Sequence, residues 1–194
     1  MALPFTDEQR RAIRARLFES AQRRALSDGV QKTSLDALTS DAGISKSSFY
    51  KFYESKEQLF LEVASDWEAQ ILSSAADTLR NREGMSNKAR AAAFVFAVFE
   101  TIHRLGIARF LREDLPYLSS FLPETEARAH CLTSAQSIFN SLREAQICFT
   151  ASDETVLSVI RFLYLSILNT GDLGEGFFTA LQTLVQSACE RLVA

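Results

Sequence analysis

The chain is poor in the residues that carry covalent and metal chemistry. Its 194 residues include three Cys, two His, three Pro and seven Gly. The cysteines Cys131, Cys148 and Cys189 are odd in number and widely spaced, with no CxxC pair. That excludes a disulfide framework and a cysteine zinc site, and buried free thiols are expected instead. His103 and His130 are far apart in sequence, and the His130–Cys131 adjacency is not metal-ligand spacing, so no metal is expected. No cofactor is expected either, because GxGxxG, Walker-type, HExxH and GxSxG patterns are all missing. The paired carboxylates Glu113–Asp114 and Asp153–Glu154 sit near expected helix ends, where charge is common, so an enzyme is not expected. No apolar run reaches the roughly 18–20 uncharged residues of a membrane span. The N-terminus is not a basic-then-apolar leader, and the cytoplasm is the expected location.

What is present points to helices. Hydrophobic residues make up 47% and charged residues 23%, a balance that argues against disorder. Fifteen Phe against few Pro and Gly suggest an all-α protein with a Phe-rich core. Net charge is −3, but it is unevenly spread: residues 1–60 hold ten Lys/Arg against eight Asp/Glu, and the remainder eleven against sixteen. A phosphate-binding face needs local basic charge rather than a basic chain, and the N-terminal part is where it is found.

Thr6 and Gln9 have capping-box spacing ahead of Ile13, Leu17, Ala21 and Ala25, which predicts a helix over residues 7–27 with an arginine-rich outer face. Ser34 caps a short second helix carrying Leu35, Leu38 and Ala42 inward, and Gly43 suits a left-handed turn. Ser45 caps a third helix expected over residues 46–52, whose solvent side offers Lys46, Ser47, Ser48, Tyr50 and Lys51. These are hydroxyls and ammoniums, the groups that bond phosphate oxygens and base edges, and no acidic residue lies between Ala42 and Tyr53. Ser55 caps the next helix, whose free N–H groups attract a phosphate together with Lys56. Two short helices about a glycine turn, followed by a third, form a helix-turn-helix pattern.

Residues 34–59, SLDALTSDAGISKSSFYKFYESKEQL, resemble the DNA-binding signature of TetR-family transcriptional regulators over the first third of the chain. The resemblance implies an all-α homodimer with an N-terminal three-helix helix-turn-helix domain and a C-terminal ligand-binding and dimerisation domain, about nine helices in all. It implies that Ser34, Lys46, Ser47, Ser48, Tyr50, Lys51 and Lys56 stand where the family contacts DNA, with Ser45 beside them. Phe52 stands where many members carry a phosphate-binding His, and Thr39 where a small Ala is common. The domain boundary is expected between residues 54 and 55.

A fourth helix is expected from Lys56 to near Arg82, a rod of about 39 Å. A fifth is expected from Ser86 or Asn87 to Leu105, apolar all round and so buried centrally. A sixth covers residues 107–114 and is broken by Leu115–Pro116; Leu122–Pro123 breaks the next stretch. A seventh starts at Thr125, with Leu132, Ala135, Ile138, Phe139 and Leu142 inward. The eighth, over residues 154–169, is apolar on both sides and must be covered on both. A dimer interface is therefore expected from Val156, Ile160, Leu163 and Ile167 with Phe177, Leu181, Leu184 and Ala188 of a ninth helix. Trp67, Phe99, His103, Phe110, Phe121, Phe139 and Tyr164 are the expected lining of a pocket for a hydrophobic or aromatic small molecule.

These expectations combine into a dimeric regulator, most often a repressor, that binds a palindromic double-stranded operator and is released by its ligand. The alternative is a helix-turn-helix fold that has lost specific DNA binding and acts through protein partners.

Overall fold

The computed structural model describes residues 5–80, 84–122, 135–169, 174 and 176–194. Among them are nine α-helices: α1 (Asp7–Ser27), α2 (Leu35–Ala42), α3 (Lys46–Phe49), α4 (Lys56–Arg80), α5 (Asn87–Leu105), α6 (Leu115–Ser119), α7 (Ala135–Glu144), α8 (Asp153–Leu168) and α9 (Phe177–Leu192). A π-helical turn, Phe110–Asp114, leads into α6. The only strand-like pairing among the described residues is a single antiparallel bridge between Phe149 and Val193. No single helix among them is long and apolar enough to cross a membrane.

The chain divides into two compact units. The first holds the residues through Asp66 together with Arg109–Phe121; the second holds Trp67–Ala108 and Leu122–Ala194. A boundary between residues 54 and 55 therefore does not describe the division. The first unit takes in the opening turns of α4 and a segment far along the chain. Hydrogen bonds explain the second point: the Arg109 guanidinium donates to the Ala25 and Leu26 carbonyls at the end of α1, at 2.8 and 2.9 Å.

In the first unit α1 buries Ile13, Leu17, Ala21 and Ala25 and packs on α2. Its start is the expected capping box: Gln9 N–H donates to Thr6 Oγ1 and Thr6 N–H to Gln9 Oε1. Leu38, Ala42, Phe49, Leu59, Phe60 and Val63 complete the core. On the outer side Asp41 of α2 gathers Ser20, Arg23 and Arg24 of α1 at 2.6, 2.9 and 2.9 Å. The Arg24 guanidinium, with Ser20 behind it, holds the Asp41 carboxyl at about 2, well below the usual carboxylate range.

Two expected helix limits shift. α3 ends at Phe49 rather than near residue 52, because Lys51 and Phe52 N–H close on the Ser48 and Phe49 carbonyls three residues back. Such bonds tighten a last turn out of α geometry. Leu115–Pro116 does not break the sixth helix. The π turn bonds Leu115 N–H to the Phe110 carbonyl, and this wider turn accommodates the proline ring that would crowd a regular one.

In the second unit α5 is the central helix, as its apolar composition required, and α7, α8 and α9 pack against it. Ser86 caps its start and Gly106, at φ 68°, ends it. The chain end is tied back by Thr150 N–H to the Leu192 carbonyl and Ala194 N–H to the Cys148 carbonyl. Cys189 is buried, which pushes its thiol up to about 11, whereas Cys148 is exposed, against the expectation of burial. Cys148 lies in the turn ahead of α8, its Sγ 3.9 Å from the Gln146 carbonyl oxygen. Cys131, His130, Thr125, Leu132 and Pro123 lie outside the described residues.

The Asp41 cluster gives a pH-dependent expectation. A carboxylate whose folded pKa is depressed stabilises the fold fully above its unfolded value of 3.8 and loses that contribution as pH falls through about 2. Asp41→Asn should lower stability at pH 7 by about 1 kcal/mol, a modest figure because the site is solvated. Urea midpoints of the two proteins should converge as the pH is lowered from 4 toward about 2.

Candidate nucleic-acid interface

The helix-turn-helix is built from caps. Ser34 Oγ accepts from Ala37 N–H at 3.1 Å and starts α2. Gly43 ends it at φ 68°, a left-handed conformation that other residues adopt at a cost of about 1–2 kcal/mol. Ser45 Oγ then accepts from Ser48 N–H at 3.2 Å, donates to Ser48 Oγ and lies 2.9 Å from Ser47 Oγ. The hydroxyls of Ser34 and Ser45 are thus engaged in holding the turn, while Ser47 stands exposed at its rim.

Phe49 anchors α3 in the core, its ring 5.6 Å from Tyr50 and 5.7 Å from Tyr53. That anchor turns Lys46, Ser47, Tyr50 and Lys51 outward, with Tyr50 60% exposed and Ser48 half-buried. Lys46 Nζ lies 2.8 Å from Asp36 Oδ1, but both side chains are more than half exposed. An exposed pair of this kind is worth less than about 1 kcal/mol, so the ammonium can leave it for another anion at little cost.

Lys56 is placed differently. Its Nζ donates to the Val30 and Thr33 carbonyls at 3.1 and 2.9 Å, in a half-buried setting. Two of its three donors therefore hold the loop between α1 and α2, and one remains. Asp114 Oδ1 holds the same loop by accepting Val30 N–H at 3.0 Å. The start of α4 carries its own cap, Gln58 N–H to Ser55 Oγ and Glu54 N–H to Gln58 Oε1.

Residues 18–63, which span this arrangement, match the family model described as bacterial regulatory proteins, tetR family. The family match covers the helix-turn-helix stretch, and the likeness of fold to solved structures extends over most of the chain. Solved structures of TetR-family transcriptional regulators share its fold. One from Streptomyces coelicolor has a TM-score of 0.69 at 16% identity, covering 92% of this chain and 89% of that one. One from Bordetella parapertussis has 0.65 at 17%, covering 90% and 92%. One from Thermus thermophilus has 0.63 at 19%, covering 91% and 98%. No curated protein matches the chain.

The expected ligand residues are scattered. In the first unit Phe110 is buried and Phe121 is exposed, its ring edge-on to Tyr117 at 5.0 Å. In the second unit Trp67 and Phe99 are core residues. His103 is exposed, with its ring 4.4 Å from Phe178. Phe139 is buried and stacks on Phe149 at 5.5 Å, with Arg143 over both rings. Tyr164 lines an open hollow of about 350 Å³ with Gln136, Arg161 and Leu165. A groove of about 470 Å³ between α5 and α9 contains none of the seven. Sequence reasoning missed Glu68, a carboxylate on α4 whose Oε1 is buried without a hydrogen-bond partner among the described residues. Burial pushes its carboxyl up to about 7. Its charge sits beside the apolar stripe that marked this helix, and no motif signals it.

The expected dimer stripe needs correction. Val156, Ile160, Leu163 and Ile167 are interior residues of the protomer, and so is Leu181. Their side chains are buried within the protomer, although Leu163 also reaches the edge of the open hollow lined by Phe162 and Leu184. The outward side of α8 and α9 instead carries Phe162, Leu165 and Leu184, exposed by 70%, 58% and 52%, with Phe177 and Ala188 half-buried. Phe162, Leu184 and Ala188 line one hollow of about 620 Å³ with Val159 and Arg191.

Lys56→Met should report the loop-holding role directly. Losing two charge-assisted bonds to carbonyls should cost about 1–3 kcal/mol, read as a lower urea midpoint without DNA. Lys46→Ala, which removes only an exposed pair, should leave that midpoint nearly unchanged.

Proposed function

We propose that the protein is a dimeric, ligand-responsive repressor that reads a palindromic operator, is located in the cytoplasm, and releases DNA on binding a small hydrophobic or aromatic molecule. One observation carries the DNA reading: α3 turns Lys46, Ser47, Tyr50 and Lys51 to solvent from a buried Phe49 anchor, in a stretch without a carboxylate. Lys46, Ser47, Ser48 and Lys51 are the base-reading candidates. Tyr50, Ser34 and the remaining donor of Lys56 fix register on the phosphates.

A dimer supplies the two recognition helices a palindrome needs. The exposed Phe162, Leu165 and Leu184 support pairing through α8 and α9. Covering such side chains is worth about 1.5–3 kcal/mol each. The aromatic interior of the second unit supports an apolar effector. It acts only by binding the DNA-competent and released states with different affinity.

Selection of duplexes from a random pool, followed by gel shifts, tests the DNA reading. The expected site has two inverted half-sites with centres roughly 34–36 Å apart or a related spacing. Lys46→Ala and Ser48→Ala should change the preferred bases, and Lys56→Ala should weaken all duplexes about equally. Equal binding to selected and random duplex at low salt overturns the reading and leaves a fold acting through protein partners. Sedimentation tests the pairing: Phe162→Glu or Leu184→Glu should give a folded monomer with at least tenfold weaker operator binding. A variant that sediments like the unaltered protein removes this face.

A further inference from the structure

The arginines of α1 fall into two groups. Arg14 is ion-paired with Glu62 at 2.8 Å, and Arg23 and Arg24 are paired with Asp41. Arg10, one turn before Arg14, has no carboxylate partner among the described residues, and neither does Lys51 at the end of the recognition turn. Both are exposed. They are nevertheless held together. The Arg10 guanidinium lies over the Phe52 ring at 5.2 Å, and its Nη2 donates to the Lys51 carbonyl at 3.4 Å. The Phe52 ring meets the Phe5 ring at 5.9 Å, and Lys51 Nζ lies over Phe5 at 5.5 Å. Cation, ring, ring and cation thus form one continuous stack: Arg10, Phe52, Phe5, Lys51.

Two like charges gathered without a counter-charge repel each other, and exposed cation–ring contacts repay only about 0.5–1 kcal/mol each. An anion between or beside them removes the repulsion. An arginine uses the flat of its guanidinium on a ring and keeps edge N–H donors free for an anion, the geometry suited to a phosphate's oxygens. The stack is continuous with Tyr50 and Lys51 of the face assigned above to DNA.

We propose that Arg10 and Lys51 form a two-cation grip on a backbone phosphate of bound DNA, with Phe5 and Phe52 as the positioning residues that set its geometry. Phe52 is then a platform that orients two cations, and the chain ahead of α1 becomes part of the DNA-binding surface through Phe5. The inference rests on the DNA reading of α3 and adds a contact from α1 to it.

The test uses the full chain and a duplex selected by the unaltered protein, with affinity followed by fluorescence anisotropy from 50 to 200 mM NaCl. Arg10→Ala and Lys51→Ala should each lower the slope of log affinity against log salt by about one. Arg10→Ala should weaken binding about tenfold at low salt, and Arg11→Ala, its neighbour outside the stack, should leave the slope unchanged. Phe52→Leu, which keeps apolar bulk but has no ring face, should lower affinity several-fold and reduce the slope, and Phe52→Trp should restore both. A merely structural Phe52 would move thermal stability and leave the salt slope alone. An unchanged slope in Arg10→Ala, with the unaltered protein binding its selected duplex, overturns the grip and leaves the DNA reading standing. Failure of the unaltered protein to select any duplex overturns the DNA reading and, with it, the grip.

Discussion

The loop over residues 29–33 is the constraint on which the recognition surface depends. It joins α1 to α2, so its path sets where α2, the glycine turn and α3 begin. Its backbone groups are met by ionic side chains from distant parts of the chain: Lys56 takes the Val30 and Thr33 carbonyls, and Asp114 takes Val30 N–H. Gly29, at φ 85°, makes the approach possible. A Cβ there would stand 3.2 Å from the Arg109 guanidinium and 3.3 Å from Asp114 Oδ2. A buried charge that fastens backbone groups is costly to leave half-satisfied. Asp114 Oδ2 has no partner among the described residues, and burial raises the Asp114 pKa. The corner therefore includes a group held at some cost, within the segment 109–121 that returns to this unit from far along the chain.

The capped part of the fold was legible because its signals are local. Thr6, Ser34, Ser45 and Ser86 each accept the backbone N–H three residues on, and each marks a helix start that the sequence indicates; Ser152 does the same for α8 without being among the expected caps. The allegiance of residues 109–121 was not legible, because it rests on Arg109 and Asp114 reaching backbone groups some eighty residues earlier. Pro116 suggested a break, but the π turn before it absorbs the missing donor. In α8 the apolar residues surround the helix, so pattern establishes that two sides are covered without saying which is covered by the protomer. The larger residues Phe162 and Leu165 lie outward, and the stripe Val156, Ile160, Leu163 and Ile167 lies inward.

Charge shows the same division between what a sequence carries and what a fold assigns. Six arginines on α1 read as one basic face. In the structure Arg23 and Arg24 serve Asp41, Arg14 serves Glu62 and the Tyr53 ring, and Arg10 stacks on Phe52 with no acid beside it. A count of basic residues therefore overstates the charge this helix offers to a phosphate. The useful quantity is the set of cations with no carboxylate already at hand.

Burial applies the same test to the two lysines that frame the recognition turn. Lys46 and Lys56 carry the same ammonium, and the family resemblance implies a DNA contact for both. Lys46 is paired with an exposed Asp36, so water replaces either partner readily and the ammonium is available to a base edge or phosphate. Lys56 is half-buried and bonded to two carbonyls that water does not reach as easily, so moving it would strand both. One lysine can exchange its partner for DNA, whereas the other can only add DNA to the partners it keeps. On the proposed DNA reading, Lys46 is the lysine that can respond to a change of operator, while Lys56 keeps its hold on the loop whatever docks beside it.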